Sequence, residues 1–306
     1  MSVFGKVAVM FGGNSAERDV SINSGNAVLT ALLAQGIDAH AFDPKEQPLS
    51  DLTDHQFNRV FIVLHGRGGE DGTMQGALEL LDIPYTGSGV LGAALAMDKI
   101  KTKQIWNAVG LPTAKYKIVN ASDCHDSLTH LLDELGGVAM VKPSNEGSSI
   151  GMAKVRNAQE LADAITLAAG YDDEVLLEQW IEGEEYTVAI LGDSALPAIR
   201  MTTPHDFYDY QAKYQSNSTQ YHCPCGLPEA EEKVLGEIAL KAFKAVHAKG
   251  WGRVDFMRDK QNNWYLLEVN TVPGMTETSL VPKAAKQADI DFKQLVHRVL
   301  SQTIKG

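Results

Sequence analysis

Residues 251–270 read Trp251-Gly252-Arg253-Val254-Asp255-Phe256-Met257, a polar run ending at Asn263, then Trp264-Tyr265-Leu266-Leu267-Glu268-Val269-Asn270. The outer segments have strand composition, and the run Asp259 to Asn263 is turn-like, which predicts an antiparallel pair. Residues two apart on a strand face the same way. Arg253 and Asp255 therefore share a face, as do Glu268 and Asn270, and pairing the strands brings the four together. Asp, Glu and Asn with no nearby His or Cys suit magnesium, a hard cation that prefers oxygen and is often completed by substrate phosphates. Arg253 would then stabilise negative charge on a transferring phosphoryl or acyl group. A solvated strand face carrying an ion pair has the same spacing, so the pattern alone leaves both readings open.

Outward from this pair the chain alternates strand and helix signals, the mark of an α/β class. Lys6 to Phe11 is an apolar run ending at Gly12-Gly13, and Ser21 to Gln35 has helical spacing up to Gly36. Val60 to Leu64 is a second buried strand, ending in the glycine-rich loop His65 to Gly72. This first third suggests an open parallel sheet with ligand-binding loops at its strand ends. Helix is expected over Met74–Leu81, Asp98–Val109, Val234–Val246 and Phe292–Ile304, and strand over 138–142, Val175–Trp180 and Glu185–Leu191. Residues 203–225 form a long polar, aromatic loop, and loops of that length are usually functional or disordered.

The chain has 306 residues, about two domains at about 150 residues each. Its net charge of −12 argues against a broad nucleic-acid surface, because phosphate backbones recruit basic faces. No apolar run approaches the ~18 residues of a membrane helix. Met1 to Met10 lacks the pattern of a secretory signal. Cys124, Cys223 and Cys225 cannot build a disulfide framework, so the cytoplasm is the expected compartment.

Other residues invite chemistry less strongly. Lys142 ends a strand before the small-residue loop Pro143 to Gly151, whose backbone N–H groups could cradle phosphates. Lys99 is a second phosphate candidate. Glu17, near a helix start, is either a cap or a receptor for a substrate ammonium. His65 is either a site residue or a structural hydrogen-bonder. Glu178 and Glu185 flank Gln179-Trp180-Ile181, a segment that can read a base and its ribose. No Walker loop, dinucleotide fingerprint, serine elbow or zinc-protease motif is present.

Three motifs together resemble the D-alanine–D-alanine ligase family of the ATP-grasp superfamily: Gly12 to Arg18, His65 to Gly76, and Gly252 to Asp255 continuing through Glu268 to Thr276 and Ser279-Leu280. The resemblance spans nearly the whole chain. It implies an α/β chain (α+β overall) with an ATP-grasp fold behind an N-terminal open parallel-sheet domain. The units would be 1–97 for substrate, 98–186 as the central ATP-grasp domain, and 187–306 carrying metal and catalytic residues. It implies ATP-dependent joining of two D-alanines through an acyl phosphate, for peptidoglycan precursors, with two magnesium or manganese ions, in a homodimer.

By the same resemblance Glu17 receives the first D-alanine's ammonium, and His65 lies near its carboxylate. Lys99, Lys142 and Lys213 hold ATP phosphates. Glu178, Trp180 and Glu185 hold adenine and ribose, with Glu184 as an alternative to Glu185. Asp255, Glu268 and Asn270 bind the metal ions. Arg253 and the backbone near Gly274 stabilise the tetrahedral oxyanion, and Ser279 and Leu280 receive the second carboxylate. Ser148 and Tyr214 link two loops to Glu17. Tyr at 214 favours the dipeptide over D-alanyl-D-lactate, the product of the nearest alternative ligase. A nucleotide-binding protein without catalysis is a further alternative, disfavoured by the presence of all three metal ligands and Arg253.

Overall fold

Val7–Met10 is buried along its whole length and forms strand β1. A strand covered on both faces has no polar side, which explains the unbroken apolar run. The structure, a computed structural model, describes residues 3–120, 128–203 and 219–304. Helix α1 (Arg18–Leu33), β2 (Ala39–Phe42), α2 (Asp51–Asp54) and β3 (Arg59–Ile62) follow. Their sheet is parallel, in the order β2-β1-β3. The loops leaving β1 and β3, with Gly12-Gly13 and His65 to Gly72, therefore emerge at one edge. β2 is an addition to the expected strands; it is buried only at its two ends.

After α3 (Thr73–Leu80), α4 (Val90–Met97) and α5 (Lys99–Ala108) comes a second sheet. It contains β4 (Tyr116–Asn120), β5 (Ala139–Pro143), β6 (Ala153–Val155) and β7 (Glu174–Gln179), with α6 (Leu128–Glu134) and α7 (Ala158–Ala169) between them in sequence. All pairings are antiparallel, in the order β4-β7-β5-β6. Ala139, Val141, Val175 and Leu177 pack with Leu132, Leu161 and Ile165 of the two helices. Strand alternation then turns Met140, Lys142 and Glu178 to the opposite face.

The third sheet runs β11-β10-β8-β12-β13, with β9 paired on β8. Its strands are β8 (Gly183–Leu191), β9 (Ser194–Ala195), β10 (Ile199–Thr202), β11 (Gln220–His222), β12 (Trp251–Asp259) and β13 (Trp264–Asn270). Helix α8 (Glu229–Ala245) covers one face, where Tyr186, Val188, Val254 and Phe256 pack against Leu235 and Phe243. Thr187, Arg253 and Asp255 lie on the other. β12 and β13 pair as expected, with Arg253 opposite Asn270 and Asp255 opposite Glu268, and the register shifts between Asp255 and Phe256. Helices α9 (Leu280–Gln287) and α10 (Phe292–Ser301) return to the first sheet, where Val281, Ala285, Val296 and Val299 share its core with Val28 and Leu32 of α1.

Candidate active site

The uncovered faces of the second and third sheets bound a cavity of about 300 Å³. Met140, Met152, Met201, Met257 and Leu267 give it apolar walls, while Lys99, Lys142, Glu178, Asp255 and Glu268 supply charge. Lys142 Nζ donates to Glu178 Oε2 at 2.5 Å, both side chains buried. Burial works against the Lys142 charge, but the Glu178, Glu268 and Glu185 carboxylates outweigh it and leave the ammonium's pKa raised. Lys99 Nζ donates to the Glu146 carbonyl at 2.5 Å and stands 3.8 Å from Glu268 Oε2. Trp180 lines the same cavity, with the Lys154 ammonium 3.7 Å from its ring centre. Glu184 and Glu185 both reach the wall, but they alternate along β8. Glu184 is exposed and pairs with Arg200 at 2.6 Å, while Glu185 shares the face of Thr187 and Asp255.

A second cavity, about 640 Å³, adjoins the first. Glu17, His65, Ser148, Arg253, Asn270, Gly274, Ser279 and Leu280 all line it. Glu17 sits at the start of α1, yet its side chain makes no cap to the helix. Instead Ser148 Oγ donates to Glu17 Oε1 across 131 positions of sequence. Ser148 and Ser149 have φ of 51° and 61°, left-handed values that non-glycine residues rarely adopt. A Cβ at Gly147 would lie 2.7 Å from Glu17 Oε2, and one at Gly66 2.8 Å from it. Two glycines from two loops thus make room for one carboxylate. Gly147→Ala is expected to leave the fold intact, because the Glu17 tip can move. If Glu17 receives a substrate ammonium, as the resemblance implies, the change should raise the KM for that substrate about tenfold and shift the KM for the nucleotide far less. Steady-state kinetics with each substrate varied in turn check this, and equal shifts in both constants contradict it.

His65 Nδ1 lies 2.7 Å from the Val272 carbonyl, so that nitrogen carries the proton and donates. Burial, helped by nearby Arg253 and opposed by the Val272 bond, lowers the His65 pKa from 6.5 to about 4. Without a bound anion the imidazole is neutral at pH 7. The unfolded chain binds this proton below about pH 6.5 and the folded chain only near pH 4. The His65 contribution to stability is therefore full above pH 6.5 and is lost as pH drops, by about 3 kcal/mol across that window. Urea melts of the parent and of His65→Asn between pH 7 and 4 test it; parallel pH trends in the two proteins contradict it.

The cavities meet at Glu268, which lines both. Arg253 Nε and NH2 donate to Asp255 Oδ1 and Oδ2, each at 2.8 Å. Thr187 Oγ1 donates to Oδ1 at 2.6 Å and Asn270 Nδ2 to Oδ2 at 3.0 Å. Among the described residues no three His, Cys, Asp or Glu side chains gather as a metal site. The junction offers two carboxylates and an amide. Ser279 precedes α9, and its Oγ accepts from the Thr276 N–H at 3.0 Å. Lys213 and Tyr214 lie outside the described residues.

Several polar residues here escape the sequence reading. Thr187 could be found from its place two residues beyond Glu185. Lys103, one helical turn past Lys99, ion-pairs with Glu178. Glu70 accepts from the Gly66 and Val272 N–H groups, and burial with the Glu17 charge pushes its pKa up to about 8. Arg67 ties the loop after β3 to the surroundings of the second sheet, meeting Glu146 at 2.6 Å and Asp172 at 2.8 Å.

A cleft gripped between two antiparallel sheets, behind an open parallel sheet, is the ATP-grasp architecture. Two family models match the chain: "D-ala D-ala ligase N-terminus" over residues 34–88 and "D-ala D-ala ligase C-terminus" over 105–301. The chain is 60% identical over 303 residues to the D-alanine–D-alanine ligase of Pseudoalteromonas atlantica, covering 97% of this chain and 94% of that one. It is 58% identical over 305 residues to that of Idiomarina loihiensis, covering 99% of each. The solved structure of the Bacillus anthracis D-alanine–D-alanine ligase complexed with ATP superposes with a TM-score of 0.84 at 31% identity, covering 98% of this chain and 97% of that one. The VanG D-Ala:D-Ser ligase of Enterococcus faecalis gives 0.83 at 28%, covering 98% and 99%. The chain belongs to the D-alanine–D-alanine ligase family.

Proposed function

We propose that the chain joins two D-alanines into D-alanyl-D-alanine for peptidoglycan precursors, converting ATP to ADP and phosphate. The observation that carries this is the position of Glu268 in the wall of both cavities. A nucleotide in the cleft between the sheets would point its phosphates at the place where a small zwitterion in the second cavity presents its carboxylate. Glu17 would take the ammonium of the first D-alanine. That substrate's carboxylate oxygen attacks the γ-phosphorus, the bond to the β-phosphate oxygen breaks, and ADP leaves. The amine of the second D-alanine then attacks the acyl phosphate carbon, and the tetrahedral intermediate expels inorganic phosphate. Arg253 and the backbone at Gly274 would stabilise the oxyanion. Lys99 and Lys142 would hold phosphates, with Lys213 from the long loop. Glu178, Trp180 and Glu185 would hold adenosine, and Ser279 with Leu280 the second carboxylate. His65 would lie near the first D-alanine's carboxylate while its Nδ1–H holds the loop at Val272.

Oxygen donors without imidazole or thiolate fit magnesium or manganese. Asp255, Glu268 and Asn270 would hold the ions, which when bound neutralise phosphate charge. Ser148, tied to Glu17, and Tyr214 would close loops over the site and exclude water from the acyl phosphate. Units near 1–97, 98–186 and 187–306, a homodimer and a cytoplasmic setting complete the proposal. No described helix is long and apolar enough to cross a membrane.

The test is phosphate release from ATP and magnesium with D-alanine, L-alanine, D-alanine plus D-lactate, D-alanine plus D-serine, or no amino acid, with products identified by mass. Release with D-alanine alone, yielding the D,D-dipeptide, is expected. Release only when D-lactate or D-serine is added would reassign the second substrate.

A further inference from the structure

Lys103 is 1% exposed, and its charge lies against buried Glu178 and half-buried Thr113 and Tyr116. It stands on α5 four residues after Lys99, on the same face of that helix. Its Nζ forms an ion pair with Glu178 Oε1 on β7, donates to Thr113 Oγ1, and lies 5.6 Å from the ring centre of Tyr116. The other Glu178 oxygen accepts from Lys142. Glu178, itself 2% exposed, is therefore bracketed by two ammonium groups. The two are not equivalent. Lys142 reaches the cavity wall, whereas Lys103 lies behind Glu178 and does not line the cavity.

A buried lysine is costly unless it is paired, and the carboxylate that pairs Lys103 lines the cavity. We propose that Lys103 is a positioning residue for nucleotide selection: from behind, it fixes the Glu178 carboxylate so that the cavity favours a base bearing an exocyclic amine over one bearing a carbonyl. The inference rests on the reading of the cleft as the adenine site. Lys103 holds the buried Oε1 as an ion pair, while Glu178 itself lines the cavity. Burial alone would push the Glu178 proton affinity up, but Lys103 first and Lys142 second outweigh it and keep the group a carboxylate. An acceptor-only carboxylate attracts the amine of adenine and repels the carbonyl oxygen of hypoxanthine. Without Lys103, Lys142 would be its single counter-charge. Glu178 would then lose the hold from behind that fixes its carboxylate relative to the cavity.

The experiment compares kcat/KM for ATP and for inosine triphosphate in the parent, Lys103→Met and Thr113→Val, with the KM for D-alanine and the melting temperature alongside. The methionine has nearly the volume of lysine without its charge. In Lys103→Met the ATP-over-inosine-triphosphate preference is expected to fall about tenfold, through the KM for ATP, with the KM for D-alanine within about twofold of the parent. Thr113→Val removes one partner of Lys103 and should lower the preference about threefold. A preference unchanged in Lys103→Met, whatever its melting temperature, overturns the proposal. If that variant does not fold, an unchanged preference in Thr113→Val overturns it instead. A parent enzyme that uses both nucleotides equally well overturns the adenine reading of Glu178, and the proposal with it.

Discussion

Arg253→Met is expected to lower kcat for dipeptide formation by about 10²- to 10³-fold, the usual effect of removing one group that stabilises a developing oxyanion. The KM for ATP should stay within about threefold, since Arg253 lines the second cavity and not the first. The same change strips Asp255 of two of its four hydrogen bonds, those from the guanidinium, and leaves those from Thr187 and Asn270. Breaking a buried pair on one side costs about 3–5 kcal/mol, less where, as here, the arginine keeps 14% exposure. Loss of rate and loss of fold therefore need separating. Arg253→Lys keeps the charge but not the planar fork that meets both Asp255 oxygens. It should melt near the parent temperature and still lose at least about tenfold in kcat. A methionine variant that turns over within about threefold of the parent at saturating substrates removes Arg253 from the chemistry.

The strand pair 251–270 was legible because a period of two is local. Alternation and a polar turn specify which residues share a face; the register of Asp255 with Glu268 depends on a bulge after Asp255 that no local pattern marks. The first sheet was legible for a similar reason, its apolar runs stopping at glycines. Helix α4, Val-Leu-Gly-Ala-Ala-Leu-Ala-Met, was not. It is apolar nearly all round, so no helical stripe marks it. α7 begins at Asn157, which accepts from the Glu160 N–H, a capping signal present in the sequence that the expectations passed over. Lys103, Arg67 and Glu70 fail differently. Nothing local says that a lysine one turn past Lys99 sits behind a glutamate 75 positions later, because that depends on how α5 packs under β7. The choice of Glu185 over Glu184 rests on family register; the alternation of β8 adds only that Glu185, and not Glu184, shares the face of Thr187 and Asp255.

Glu268→Gln is the change whose effect should reach furthest, because this one carboxylate borders both cavities. Glutamine keeps the shape and an oxygen donor, and removes one negative charge from the two that Asp255 and Glu268 supply. Ligand charge count sets the affinity of a hard-cation site. Half-saturating magnesium should therefore rise at least about tenfold, a shift of about 1.4 kcal/mol, with part of kcat recovered at high magnesium. Lys99, 3.8 Å from Glu268, would face one carboxylate fewer, so the KM for ATP should change as well. Glu17→Gln makes the contrast. It lies only in the second cavity, tied to Ser148, and should raise the KM for D-alanine while leaving the magnesium dependence alone. Magnesium titrations of phosphate release in the three proteins separate the two roles. A Glu268→Gln curve that superimposes on the parent curve would take Glu268 out of the metal site, and the junction would then be an acidic wall between two cavities rather than the place where their contents meet.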